Sequence, residues 1–104
     1  GRHIEFFWSP DGNAFAITDY GGSNFSDGWV GFPHDSSRTI KLNVSSPESK
    51  QNDHVYFKVL RWRGPTLLEF KVEGYGEHDP KGFEKYYECS VNGKIKEIKK
   101  PLKK

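Results

Sequence analysis

The residues of this chain that could do chemistry are few and scattered. Two His-Asp pairs, His34-Asp35 and His78-Asp79, stand in polar segments next to proline. Imidazole and carboxylate together can ligate a metal, but a catalytic zinc needs about three protein ligands and a structural zinc about four. Neither pair has a further ligand at helical or hairpin spacing. Cys89 is the single cysteine, so it forms no intramolecular disulfide. In "YYECSV" it alternates with Tyr87 and Val91, the pattern of a small buried hydrophobe. The sequence shows no helix N-terminus or adjacent histidine that would activate the thiol. Serine, histidine and aspartate all occur, but no Gly-x-Ser-x-Gly elbow does. The chain is therefore expected to be no enzyme, and no metal or cofactor is expected.

Contact chemistry is better represented. "DYGGSNFSDGW" begins at Asp19 and carries Tyr20, Asn24, Phe25 and Trp29 among glycine and serine. Loops that combine aromatic rings with Asn, Ser and Gly make good recognition surfaces. A calcium-hand loop would end in a bidentate carboxylate at its twelfth position. Counted from Asp19 that position is Val30, so the calcium reading fails. A second Gly-rich stretch, residues 74–82, carries Tyr75 and His78. If the two halves of the chain repeat, both stretches sit at one end and form a recognition rim. The competing assignment sends Phe25 and Trp29 into the core, with the glycines merely letting the chain turn. Two short sequons, Asn24-Phe25-Ser26 and Asn43-Val44-Ser45, would carry no glycan in a bacterial chain.

The elements that must position these residues are strands. In 104 residues only 34% are hydrophobic, yet 15% are aromatic, and large rings supply core area that aliphatic residues do not. One folded domain is expected. Short runs of aromatic and β-branched residues, punctuated by Gly, Pro, Asn and Asp, predict eight strands and no amphipathic helix. They fall at residues 4–8, 13–18, 28–32, 39–44, 55–62, 66–73, 83–91 and 94–98. Ser9-Pro10-Asp11-Gly12 and Asn92-Gly93 are turn signals. The polar segment 45–53 reads as a linker, with one helical turn beginning at Ser46-Pro47.

Trp8 and Trp62 each precede a reversal, 54 residues apart (62 − 8). The halves 4–44 and 55–98 then align as two four-stranded meanders, each with a long loop between its second and third strands. The expected fold is all-β, two antiparallel meanders packed as a small sandwich-like domain. Phe15 and Ile17 are expected to share one buried side, and Leu68, Phe70 and Val72 another. Glu69, Lys71, Glu73, Glu84 and Glu88 are expected on wet faces. "EFF" and "AFAI" leave the first half little room for a wet side, so it is expected to be covered on both faces.

"FFWSPDGNAFAITDYGG" resembles the TolB-type β-propeller repeat, whose hallmark is a Trp-Ser-Pro-Asp-Gly turn before a small-and-hydrophobic strand. The likeness covers residues 5–22, with agreement at five successive positions from Trp8 to Gly12. "WRGPTLLEF" keeps the Trp, Gly and Pro but lacks the same order. Two units cannot close a propeller ring. The resemblance implies a non-enzymatic binding or assembly domain of a bacterial envelope protein, periplasmic or secreted, with a protein partner. A glycan- or small-ligand-binding accessory module, for instance with Trp29, Tyr20 and Tyr75 stacking on sugar rings, is the alternative. A non-catalytic propeller fragment of a larger enzyme is the third reading.

The remaining classes are weak. Net charge is +2, and the basic residues crowd the end: Lys94, Lys96, Lys99, Lys100, Lys103 and Lys104. Glu84, Glu88 and Glu97 dilute them, against a nucleic-acid face. No apolar run approaches the ~20 residues of a membrane span. No Met occurs, so Gly1 is not a natural start and upstream sequence is expected.

Overall fold

The computed structural model describes residues 3–21, 26–42, 44, 46–47, 52, 54–77 and 79–101. Eight strands form in the expected order: β1 (His3–Trp8), β2 (Phe15–Tyr20), β3 (Asp27–Gly31), β4 (Thr39–Lys41), β5 (His54–Trp62), β6 (Leu67–Gly76), β7 (Asp79–Ser90) and β8 (Ile95–Ile98). They make two four-stranded antiparallel meanders, β1-β2-β3-β4 (sheet 1) and β5-β6-β7-β8 (sheet 2), packed together as one small all-β domain. Most of the linker 45–53 lies outside the described residues.

The Ser9–Gly12 turn holds itself. Gly12 N–H donates to Ser9 O at 3.0 Å, and the buried Ser9 hydroxyl donates to Asp11 Oδ1 at 2.8 Å. Asp11 also accepts from the Asn13 amide at 3.0 Å. These bonds, led by that amide, hold its carboxyl below the usual range.

The core is centred on sheet 2. Leu68, Phe70, Val72, Tyr87 and Cys89 are buried on its inner face, with the rings of Phe70 and Tyr87 stacked 5.4 Å apart. Burial pushes the Cys89 thiol up to about 11, so the alternation with Tyr87 does mark an inert core position. A bulge in β5 is decisive for what faces where. Val59 pairs with Phe70, but the next pair is Arg61 with Glu69, leaving Leu60 unpaired. One extra residue reverses the facing of everything after it. Trp62 thereby turns inward opposite Leu68, and Arg61 turns outward beside Glu69.

Along β2 and at the start of β3 the inner face of sheet 1 is made mostly of small residues, contrary to expectation, while Leu42 is buried beside Gly28 and Phe7 packs against the core from β1. Ala14, Ala16, Thr18, Ser26 and Val30 are buried there, whereas Phe15 and Ile17 are only half-buried on the opposite side. The reason is the close approach of β5, the edge strand of sheet 2. Ser26 Oγ accepts from Phe57 N–H and donates to Phe57 O, both at 2.8 Å. Thr18 Oγ1 accepts from Val59 N–H at 3.1 Å, and Trp62 Nε1 donates to Phe7 O at 2.7 Å. Side chains of sheet 1 thus satisfy an edge that would otherwise be bare. Larger inward residues would hold the sheets apart and break those bonds.

Two further expectations are corrected. Glu69, expected on a wet face, is 1% exposed. Arg61 Nε lies 2.7 Å and Arg63 Nη1 3.6 Å from its carboxylate, so the charge is buried in company. Residues 74–82, expected as a loop, are mostly strand: β6 runs to Gly76 and β7 starts at Asp79.

Candidate functional site

The first half is not covered on both faces. The register places Phe6, Ile17 and Trp29 in one row across β1, β2 and β3, with Trp8, Phe15 and Gly31 in the next. These side chains point away from sheet 2. On β1, Ile4 is 46%, Phe6 58% and Trp8 57% exposed. The rings touch one another: Phe15 lies 5.9 Å from Phe6 and 5.3 Å from Trp8, tilted by 38° and 53°. Gly31 is needed beneath them. A Cβ there would meet Phe15 Cζ at 2.5 Å, so the glycine lets the Phe15 ring lie down on the sheet. Exposed apolar residues scattered singly are ordinary, but a contiguous group on an edge strand and its neighbours is a candidate contact surface.

The residues expected to form a recognition rim do not share one surface. Trp29 is half-buried on the outer face of sheet 1, within the aromatic group. Tyr20 ends β2 on the other side, its ring 5.6 Å from His3 and its hydroxyl donating to Glu5 Oε1 at 3.1 Å. Burial first, then the Glu5 carboxylate, pushes its phenol up to about 12. Tyr75 lies on the outer face of sheet 2, stacked on His54 at 4.5 Å and 14°. The three rings therefore make no common sugar platform. Asn24, Phe25 and His78 lie outside the described residues. Phe6, Trp8 and Ile4, which sequence reasoning placed in a covered strand, are the residues it missed. The available signal was "IEFFW" itself, which has more apolar residues than one face of a strand can bury.

No family model, curated protein or solved structure matches the chain.

The described residues contain no group of three or more His, Cys, Asp or Glu placed to hold a metal. No helix among them is long and apolar enough to cross a membrane. The outer face of sheet 2 differs sharply from that of sheet 1. Lys71 Nζ lies 3.2 Å from Glu73 and 3.6 Å from Glu84, and Tyr86 donates to Glu84. That hydrogen bond, ahead of Lys71 and Lys100, keeps the Glu84 carboxyl low, and pushes the Tyr86 phenol up to about 12.

Proposed function

We propose that the chain is a non-enzymatic binding or assembly domain whose outer face of sheet 1 docks on an apolar sheet face of a protein partner. The carrying observation is the contiguous group Phe6, Trp8, Phe15 and Trp29, more than half exposed at its β1 edge. Burying such rings stabilises a complex by roughly 25 cal/mol per Å2 of apolar surface. Aromatic anchors of this kind dominate interface energies. Their mutual tilt favours a protein over a polysaccharide, because rings at 38° and 53° interdigitate with side chains and make no flat platform. The partner's matching element is a second sheet, since sheets pack face to face about 10 Å apart. The resemblance to the TolB-type repeat supports the same partner class, and it alone supports placement in a bacterial envelope, periplasmic or secreted.

The test is site-specific photocrosslinking in the producing cells, read beside sedimentation of the purified chain. A photoreactive phenylalanine analogue replaces Phe6, or, as control, Lys58 on the exposed part of sheet 2. One discrete protein, or the chain itself, should be captured from position 6 and not from 58. Trp8→Ala should weaken that complex by about thirtyfold or more, the loss of one aromatic hot spot. Equal capture from both positions, or none from position 6, overturns the assignment.

A further inference from the structure

A cleft of about 500 Å3 opens on the outer face of sheet 2, at the far end of the β6–β7 ribbon. It exists because the ribbon is irregular there. Gly74 pairs with Phe83, yet Gly76 pairs with Asp79, so residues 80–82 bulge opposite the single residue Tyr75. Gly82 makes the bulge with φ +71°, and a Cβ at that position would lie 2.1 Å from Gly74 O. Bulges of this type end regular pairing and re-aim side chains, and they are common beside functional sites.

Tyr75 stands opposite the bulge, in register with His54. One face of its ring is stacked on His54, while the side chain remains 48% exposed beside the cleft. Tyr56 lies next to it, ring centres 6.4 Å apart. The floor is a row across three strands, Tyr56, Glu73 and Glu84, with the two carboxylates directly opposite each other. Like charges so placed repel, and Lys71, 3.2 Å from Glu73 and 3.6 Å from Glu84, offsets that repulsion. Lys81 lines the opposite wall. The carboxylates are compensated, Glu73 by Lys71 and Glu84 by Lys71 and Lys100, and among the described residues Lys81 is the one ammonium group lining the cleft. The cleft therefore offers neither the uncompensated carboxylates that a cation requires nor the basic excess that an anion requires.

An open aromatic face beside charge-compensated acceptors and a donor has one obvious complement. We propose that this cleft binds a neutral saccharide, with a sugar ring against the free face of Tyr75 and its hydroxyls donating to Glu73 and Glu84. Axial C–H groups of a pyranose match a phenol face, and a carboxylate accepts from two neighbouring hydroxyls at once. The site is on the sheet opposite to the protein-docking face and stands or falls without it.

Nuclear magnetic resonance of the labelled chain tests this. The probes are neutral tetrasaccharides of glucose, galactose, mannose and N-acetylglucosamine, with choline and inorganic phosphate as the charged comparisons. At least one tetrasaccharide should shift the amides of Gly74, Tyr75, Gly82 and Phe83 saturably, with affinity on the order of millimolar or tighter. Tyr75→Ala should weaken it about tenfold and Tyr75→Phe should not, since the ring face is kept. Glu73→Gln, which preserves shape, should also weaken it about tenfold by removing a charged acceptor. The amide spectrum itself reports whether each variant stays folded. The assignment is overturned if no tetrasaccharide shifts these amides up to about 20 mM, a concentration that would half-saturate even very weak sites. It is equally overturned if choline or phosphate binds there more tightly, or if Tyr75→Ala binds as well as the parent.

Discussion

In sheet 2 the large side chains point inward: Leu68, Phe70, Val72 and Tyr87 are buried, and the outer face is ion-paired. In sheet 1 most of the aromatic side chains point outward: Phe6, Trp8, Phe15 and Trp29 lie on the face away from the core, while Ala14, Ala16, Thr18 and Ser26 lie inside with Val30, Leu42 and Phe7. The two tryptophans that precede the hairpin turns show the contrast residue by residue. Trp62 turns in after the Leu60 bulge and bonds to Phe7 O; Trp8 stays out on the edge strand. Sheet 2 thus holds most of the hydrophobic stabilisation. Sheet 1 is fixed to it by close approach and hydrogen bonds, which frees its aromatic residues for contact.

The largest effect that could break this comparison comes from truncating one phenylalanine in each sheet. Phe70→Ala removes a fully buried ring stacked on Tyr87 and should cost about 3–5 kcal/mol of unfolding free energy. Phe6→Ala removes a ring more than half in water and should cost less than about 1 kcal/mol. Urea unfolding of both variants gives the difference directly. Comparable losses would mean that sheet 1 carries core weight and that its outer face is not free.

A smaller effect tests the junction. Ser26→Ala deletes the hydroxyl that serves both Phe57 N–H and Phe57 O, leaving two buried backbone groups of the β5 edge without their partner. Each such group costs about 1–3 kcal/mol, so a loss of about 2–4 kcal/mol is expected, with relaxation keeping it below the full sum. Amide exchange localises it: Phe57 and Val59 should lose protection while Leu68 and Phe70, inside sheet 2, keep theirs. Uniform loss across both sheets would show that they unfold as one and that the junction is no separate unit.

Strand number and order were legible because alternation and turn chemistry are local. The Asn92-Gly93 signal marks the reversal between β7 and β8, but the loop has three residues, closed by Ser90 N–H to Lys94 O at 2.9 Å, and only Gly93 takes a positive φ, so it is not the two-residue turn the dipeptide suggests. The facing of sheet 1 was not legible. In "NAFAIT" the alanines and the large residues alternate, and both sets are apolar, so hydropathy does not choose between them. What chooses is the approach of β5, a contact between residues about forty positions apart, as in the Thr18–Val59 bond. The Leu60 bulge has no sequence mark either, and with it the burial of Glu69 and the inward turn of Trp62 were hidden. Residues 74–82 look like a loop because Gly, His, Asp and Pro crowd there. Two of those glycines in fact serve a bulge within a strand pair, which the same composition permits. The cleft beside Tyr75 was therefore named by one residue and missed as a site.

The smallest expected effect distinguishes how each sheet treats a tyrosine. Tyr20 in sheet 1 and Tyr86 in sheet 2 both have phenols pushed up from 10.0 to about 12, but for different leading reasons. For Tyr20 burial comes first and the Glu5 carboxylate second; for Tyr86 the hydrogen bond to Glu84 comes first and burial second. Removing the carboxylate should therefore act unequally. Glu84→Gln should return Tyr86 most of the way toward 10, while Glu5→Gln should leave Tyr20 well above it. Phenolate absorbance against pH, read as the difference between each variant and the parent, measures both shifts. The sign for stability follows from the same values. A phenol whose folded pKa lies above its unfolded one favours the fold in its neutral form, so its contribution is complete below about pH 10. It is lost as pH rises through about 12, so Glu84→Gln, which removes most of the Tyr86 shift, should show a shallower alkaline loss of stability than the parent, while Glu5→Gln should keep most of the Tyr20 share of that loss. If Glu5→Gln moved Tyr20 as far as Glu84→Gln moves Tyr86, the buried environment assigned to the inner side of sheet 1 would be wrong. The close seating of that sheet on β5, which the small inward residues require, would then need another explanation.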